Sequence, residues 1–514
     1  MHMSQELPLH HAFIACARQR PQKTAIIDRT TERRITYGKA LIGVLILARR
    51  IRKFPDRYIG IMVPTSAGCF LSVIATLMAG KVPVMINYST GAEGNCRYAQ
   101  KKCGFKPILT SRALLDKIGC PLLPEMIALE DVMKSIGPAE KVRAALTARL
   151  PQTLLRKITC TAASDDTAVI LFTSGSEMEP KAVELSHRNI TSNIRGIIDI
   201  YHLNSEDILM SILPLFHVFG FTVTFWMPMT AGMSVVTYAN PLDYKKIPVI
   251  IREERTTIIA GTPSFFAGYV RESRPGDFQT LRLIVAGADK VPDWLREQYR
   301  QMHGKTLLEG YGTTETSPVI SANEPEDNAA GSLGKPLPGV AVSIVDLYTG
   351  EPLPIGSEGK ILVKGPLVMK GYLNDMEETS LRIRDGWYDT GDMGIMDERG
   401  FLWFRGRLKR FVKIGGEMIS LAKVEEALSR ALPHGTDCCV VELHDPVKGA
   451  RLAAAITVDI DEQAVLKELA ANLPRIAVPS RFIRFDQLPR MGSGKVDFRA
   501  TTDMVRERLS TTAP

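Results

Sequence analysis

The chain has 514 residues, 45% of them hydrophobic and 23% charged, with a formal net charge of +8. These proportions exclude a largely disordered protein. The eight cysteines are too sparse for a disulfide scaffold and show no CxxC spacing of the kind that binds zinc. A charge this mild, without a basic stripe, gives no reason to expect nucleic acid, yet it suits polyanions such as nucleotides, coenzyme A, an acidic carrier protein or an anionic membrane surface.

In chain order, the N-terminal segment carries Glu6, Arg18 and Arg20 without a long apolar run, which does not read as a secretory signal. Two uncharged stretches, 58–80 and 208–236, are long enough to span a bilayer. The second is interrupted by Pro214, His217, Gly220, Pro228 and Gly232, so each is read as a buried strand–turn–helix segment. Shallow contact with a membrane surface stays open for both. Segments 167–172, 256–260 and 281–286 read as buried strands, each followed by a Gly, Ser or Pro turn. With helical stretches between such strands, this predicts an α/β domain of parallel-rich sheets covered by helices. After about residue 405 the texture changes. Strands are expected at 438–443, 452–460 and 482–485, and Asp461 can cap a helix whose Val465, Leu466, Leu469 and Leu473 share a face. The division expected is a large domain at 1–407 and a small α+β domain at 408–514, joined through the charged segment 405–416.

Four local patterns carry chemistry. Phe172-Thr-Ser-Gly-Ser-Glu-Met-Glu-Pro-Lys181 follows a predicted strand. The hydroxyls of Thr173, Ser174 and Ser176, the backbone at Gly175 and the ammonium of Lys181 can cradle phosphate. The spacing is not that of a P-loop, and a plain surface turn is the competing reading. Glu309-Gly-Tyr-Gly-Thr-Thr-Glu315 brings backbone close to a planar ligand at Gly310 and Gly312. Within it, Tyr311 can stack on a base, Thr313 and Thr314 offer hydroxyls, and Glu315 is a hard oxygen ligand suited to Mg²⁺. Tyr388-Asp-Thr-Gly-Asp392, followed by Gly406-Arg407, sets a carboxylate and a guanidinium where they can grip ribose hydroxyls; an Asx-type turn is the bland alternative. Gly492-Ser-Gly-Lys495 puts a lysine on a Gly/Ser loop, which in isolation reads as solvated surface.

In this order and at these separations, the four patterns resemble the acyl-adenylate-forming superfamily, which includes acyl-CoA synthetases, luciferases and nonribosomal adenylation domains. The resemblance covers essentially the whole chain. The wording at 172–177 and 406–417 looks most like bacterial fatty-acid ligases, especially acyl-acyl carrier protein synthetases. The resemblance implies ATP and Mg²⁺ as cofactors, a fatty acid as substrate, and acyl carrier protein or coenzyme A as acceptor. Thr173 to Ser176 and Lys181 would hold phosphates. Gly287, Ala288, Glu309, Gly310 and Tyr311 would form the adenine pocket, and Asp392 and Arg407 would hold the ribose. Thr314 would touch the α-phosphate, Glu315 would bind the metal, Lys409 would be the hinge of a mobile small domain, and Lys495 would be the catalytic lysine. His217 would border the acyl site, and the apolar run after it, with Phe219, Phe221, Phe225 and Trp226, would line a deep acyl pocket. The family's phosphate loop has glycines where this chain has Met178 and Ala182, which is expected to stiffen the loop. The sparse, scattered cysteines fit a reducing cytoplasm, with peripheral contact at the inner face of a membrane left open and no oligomeric state indicated. Two readings compete: an acyltransferase built on the pair His202 and Asp207, and a nucleotide sensor on a ligase scaffold. An aromatic or short-chain acid remains an alternative substrate.

Overall fold

The computed structural model describes residues 7–173, 180–414, 417–445, 449–490 and 496–511. Apolar β-branched runs become central strands because helices cover both faces of the sheets they form. A nine-stranded sheet takes its parallel core from Thr24–Asp28, Ser234–Thr237, Ile208–Ser211, Ile258–Gly261, Leu283–Ala286 and Leu308–Gly312. Antiparallel strands close both of its edges. A seven-stranded sheet has a parallel core of Tyr58–Met62, Val82–Met85, Ile108–Thr110 and Thr167–Phe172, with antiparallel strands at one edge only. Strands Ala341–Val345, Glu358–Lys364, Trp387–Met396 and Leu402–Arg407 form an antiparallel sheet beside them. Together these make the large N-terminal domain of parallel-rich sheets expected from the sequence.

The smaller C-terminal domain holds the hairpin Phe411–Ile414 and Glu417–Ser420 and a three-stranded sheet of Cys438–Asp445, Gly449–Ile456 and Phe482–Arg484. Its apolar clusters draw only on residues from Val412 onward. Helix Glu462–Asn472 is capped as the sequence suggests, the Asp461 side chain accepting from the backbone of Gln463 and Ala464.

Both uncharged stretches lie inside the fold. The first is strand Tyr58–Met62 followed by helix Ala67–Met78. The second is strand Ile208–Ser211, a π-helical turn Gly220–Trp226, helix Met227–Ala231 and strand Ser234–Thr237. Among the described residues, no helix is long and apolar enough to cross a membrane.

Helix Leu9–Gln19 is fastened to this core through imidazoles. The Leu9 amide donates to Nδ1 of His187 at 3.2 Å, and Nε2 of His10 and of His11 lies 2.9 and 3.0 Å from the Cys160 carbonyl. The rings of His10 and His187 are 5.5 Å apart. Burial, and then the neighbouring imidazoles His187 and His11, push His10 down to about 3; burial, and then His11, do the same to His187. Both are therefore neutral when folded and protonate more readily when unfolded. The stability they confer is complete above about pH 6.5 and is lost as the pH falls toward 3, at up to ~1.4 kcal/mol per pH unit for each group. The thermal midpoint should thus fall steeply between pH 6.5 and 5, and His10→Gln should flatten that limb. An acid limb unchanged in the variant would mean that other groups set it.

Candidate functional site

The carboxyl ends of strands Ile258–Gly261, Leu283–Ala286 and Leu308–Gly312 meet at one edge of the nine-stranded sheet, where open α/β folds present ligands. A cavity of about 2380 Å³ opens there, walled by both domains. Thr173, Lys181, His217, Phe219, Gly287, Ala288, Glu309, Gly310, Tyr311, Gly312, Thr313, Thr314, Glu315, Asp392 and Arg407 all line it. Ser174, Gly175, Ser176, Met178 and Lys495 lie outside the described residues, as does the side chain of Lys409, whose backbone lies in the turn Leu408–Arg410. The residue after Lys495, Val496, lines the same cavity.

The segment 173–181 connects two antiparallel strands, Thr167–Phe172 and Ala182–Ser186. Its neck is closed twice: the Thr173 amide donates to the Lys181 carbonyl at 3.0 Å, and the Lys181 amide donates to Oγ1 of Thr173 at 3.0 Å. Ala182 lies beyond that neck, as the first residue of the returning strand, with its methyl buried among apolar neighbours. Its departure from glycine therefore concerns strand packing, not loop stiffness.

Strand Leu308–Gly312 supplies the floor. Gly312 is required by close approach, since a Cβ there would lie 1.8 Å from the Pro318 carbonyl oxygen. The Tyr311 hydroxyl donates to Oδ2 of Asp392 at 2.6 Å. Burial, and then the adjacent Asp392 carboxylate, hold this phenol well above its ordinary range. Asp392 and Arg407 face one another across the register of strands Trp387–Met396 and Leu402–Arg407, with Nε 3.4 Å from Oδ1. The pairing of carboxylate and guanidinium thus follows from strand alignment, which the sequence spacing alone does not show. Glu315 is buried in the turn Thr314–Thr316, where its Oε1 accepts from the Tyr372 hydroxyl at 2.9 Å.

Three expectations are revised. The Glu309 carboxylate is occupied with scaffolding: it accepts from the Val291 amide at 3.1 Å and the Gly331 amide at 2.9 Å, and pairs with Arg296 at 2.6 Å. It braces the loops at Val291 and Gly331, both of which line the cavity, from behind. Trp226 does not line the cavity; with Phe221 and Phe225 it packs in the core, its ring 4.6 Å from that of Phe225. A π-helical turn buried on every side leaves only Val223 of this group, with Phe219 before it and Met227 after it, facing the void. The remaining apolar wall comes from Ile197, Tyr201, Ile258, Ala260, Leu283 and Val285, on a helix and two central strands whose periodicity marks them only as core. Finally, Asp207 is held by Arg282, Thr257 and the Asn204 amide, which leaves its carboxylate engaged in structure and removes the acyltransferase reading.

Three further residues that the sequence reading missed, Tyr372, Glu378 and Arg382, stand beside Lys181. Lys181 is ion-paired to Glu378, which also accepts from Nε of Arg382 at 3.0 Å. The Lys181 ammonium lies over the Tyr372 ring, 5.2 Å from its centre. No local signature marks segment 371–384, and its members meet the cavity only through the fold. Across the mouth, Lys290 of the large domain pairs with Glu426 of the small one at 2.8 Å.

Because Glu309 is 5% exposed and satisfies three donors, Glu309→Gln should destabilise the protein by ~3–5 kcal/mol, as expected for breaking a buried pair. Adding Arg296→Met should recover part of that loss. Denaturant unfolding of the single and double variants measures both.

The description "AMP-binding enzyme" matches residues 13–373, and "AMP-binding enzyme C-terminal domain" matches residues 423–495. An indoleacetate–CoA ligase from Aromatoleum aromaticum is 34% identical over 337 residues, which is 64% of this chain and 65% of that protein. A long-chain-fatty-acid–CoA ligase from Bacillus subtilis is 33% identical over 346 residues, 64% of this chain and 60% of that protein. The matched stretch thus spans somewhat less than two-thirds of each relative. The ATP-bound crystal structure of MatB from Rhodopseudomonas palustris superimposes with a TM-score of 0.84 at 26% identity, covering 98% of this chain and 100% of that one.

Proposed function

Because the chain belongs to the AMP-binding enzyme family, we propose that it uses ATP to activate a medium- or long-chain fatty acid as its acyl adenylate, releasing pyrophosphate, and then passes the acyl group to a thiol. The observation that carries this reading is one continuous cavity with two kinds of wall: charged and glycine-lined around Tyr311, Glu315 and Asp392, and apolar around Val223, Ile258 and Leu283. The fatty-acid relative supports the substrate class. The indoleacetate relative favours an aromatic acid as the second reading.

In the first step the acid's carboxylate attacks the α-phosphate of ATP. Two anions approach, so cations must offset their repulsion. Lys181 and the loop that begins at Thr173 serve the phosphates, Thr314 the α-phosphate, and Asp392 with Arg407 the ribose. Gly287, Ala288 and Gly310 give a flat wall for adenine, with the Tyr311 ring beside it. Among the described residues, no three carboxylate, imidazole or thiolate groups gather into a metal cage. A single hard carboxylate, Glu315, would suit Mg²⁺ that arrives with the phosphates and retains part of its water. Bound there, Mg²⁺ would supply charge neutralisation. Lys495 is assigned to the α-phosphate from the small domain, which we take to begin at residue 408 and to swing about Lys409 between the two steps. The acceptor is a phosphopantetheine thiol, which coenzyme A and acyl carrier protein share. Rates with each decide between them.

Acid-dependent exchange of labelled pyrophosphate into ATP tests the reading. Rates should rise with chain length, since each buried methylene contributes ~0.8 kcal/mol. Equal rates with acetate, indoleacetate and a fourteen-carbon acid would sink the fatty-acid assignment. Val223→Trp, which fills the apolar arm, should lower kcat/KM for that long acid at least ~10-fold while sparing an eight-carbon one.

Lys495→Ala should abolish exchange yet largely preserve thioester formation from synthetic acyl adenylate. Equal loss of both steps in a folded variant would refute the two-orientation scheme.

A further inference from the structure

The cation wall beside the phosphate segment contains an anion of its own. Helix Met376–Arg382 begins at Asp375, whose side chain accepts from the Glu378 amide, and it points Glu378 and Arg382 to the same side at i and i+4. One oxygen of Glu378, Oε1, receives both Lys181 Nζ and Arg382 Nε. The three side chains are 24%, 18% and 22% exposed, so the exchange is sheltered but open to the cavity that Lys181 and Arg382 line. Among the described residues, Glu378 engages only Nε of the Arg382 guanidinium. Nη1 of Arg382 lies over residues Tyr388–Asp392 of strand Trp387–Met396, 3.4 Å from where a Cβ on Gly391 would stand. Gly391, at φ +73°, both permits the local irregularity in that strand and leaves the guanidinium its place. Burial opposes the charge on Glu378, but the hydrogen bonds from Lys181 and Arg382 prevail and hold its carboxyl below the usual range. The carboxylate is therefore ionised at neutral pH and competes for the cations that a polyphosphate would use.

We propose that Arg382 is a second polyphosphate-binding residue, and that Glu378 is an internal stand-in for phosphate that keeps Arg382 and Lys181 oriented until a nucleotide triphosphate displaces it. This deepens the nucleotide reading above and rests on it for the identity of the ligand. A guanidinium released from a single carboxylate oxygen can fork onto two phosphate oxygens, a geometry an ammonium lacks. Glu378 sets the threshold: it screens the cations against monovalent anions and yields only to a ligand of higher charge.

The test is calorimetric binding of inorganic tripolyphosphate to the full chain, alongside pyrophosphate exchange. Arg382→Ala should weaken tripolyphosphate about tenfold and raise KM for ATP more than it lowers kcat, and Arg382→Lys should recover only part. Glu378→Gln, which keeps the shape and removes the charge, should tighten tripolyphosphate severalfold and let inorganic phosphate compete. Weaker tripolyphosphate binding in Glu378→Gln would overturn the proposal by showing Glu378 to be scaffold, and so would unchanged binding in Arg382→Lys. If wild-type protein shows this binding pattern without acid-dependent exchange, the ligase reading falls and the anion-exchange reading stands.

Discussion

At the cavity the two sheets meet through a hydrogen bond from Tyr311 to Asp392, backed by a backbone pair between Leu402 and Leu333–Gly334. Tyr311 lies next to the end of the last parallel strand of the nine-stranded sheet, and Asp392 sits in the longest strand of the antiparallel sheet. Joined here, they bring a glycine-lined floor against a carboxylate–guanidinium pair whose alignment is set by backbone register. Burying Asp392 would be costly without partners. Tyr311 and Arg407 supply them from opposite sides, so the anion is held in place without a bound ligand.

The small domain is anchored differently. Arg410, just past the joint, pairs with Glu425 at 2.7 Å, donates to the Val440 carbonyl and stacks over Phe498 at 3.7 Å. Burial pushes the Glu425 carboxyl up, and Arg410 offsets that. Arg410 is therefore rooted firmly in the small domain, and the buried Ser420 hydroxyl ties that domain to the large one by donating to the Arg405 carbonyl at 3.4 Å.

Much of this was legible in the sequence because it is local. The patterns around Tyr311 and Asp392 are written in contiguous glycines and hydroxyls, and Thr173, Tyr311 and Asp392 line the cavity. The helix after Asp461 is legible from its cap, and the buried strands read at 167–172 and 281–286 are found at 167–172 and 283–286. What escaped is tertiary. Arg382 and Glu378 lie in a segment with no distinctive composition, and only the fold brings them to Lys181. Trp226 was misassigned because every residue of the turn Gly220–Trp226 is buried, so hydrophobicity does not reveal which side meets the void. Glu309 sits within the right pattern, but its orientation is decided by Arg296 and two distant amides.

The contact between Lys290 and Glu426 sets the character of the closed cleft. Both side chains are substantially solvated, 54% and 37% exposed, and a pair so exposed contributes only ~0–1 kcal/mol. That is comparable with thermal energy. It acts as a detent between the two walls of the cavity, shallow enough for ordinary fluctuations to release. A buried pair at this position would clamp the walls together, whereas a catch of this depth lets them part without an external trigger.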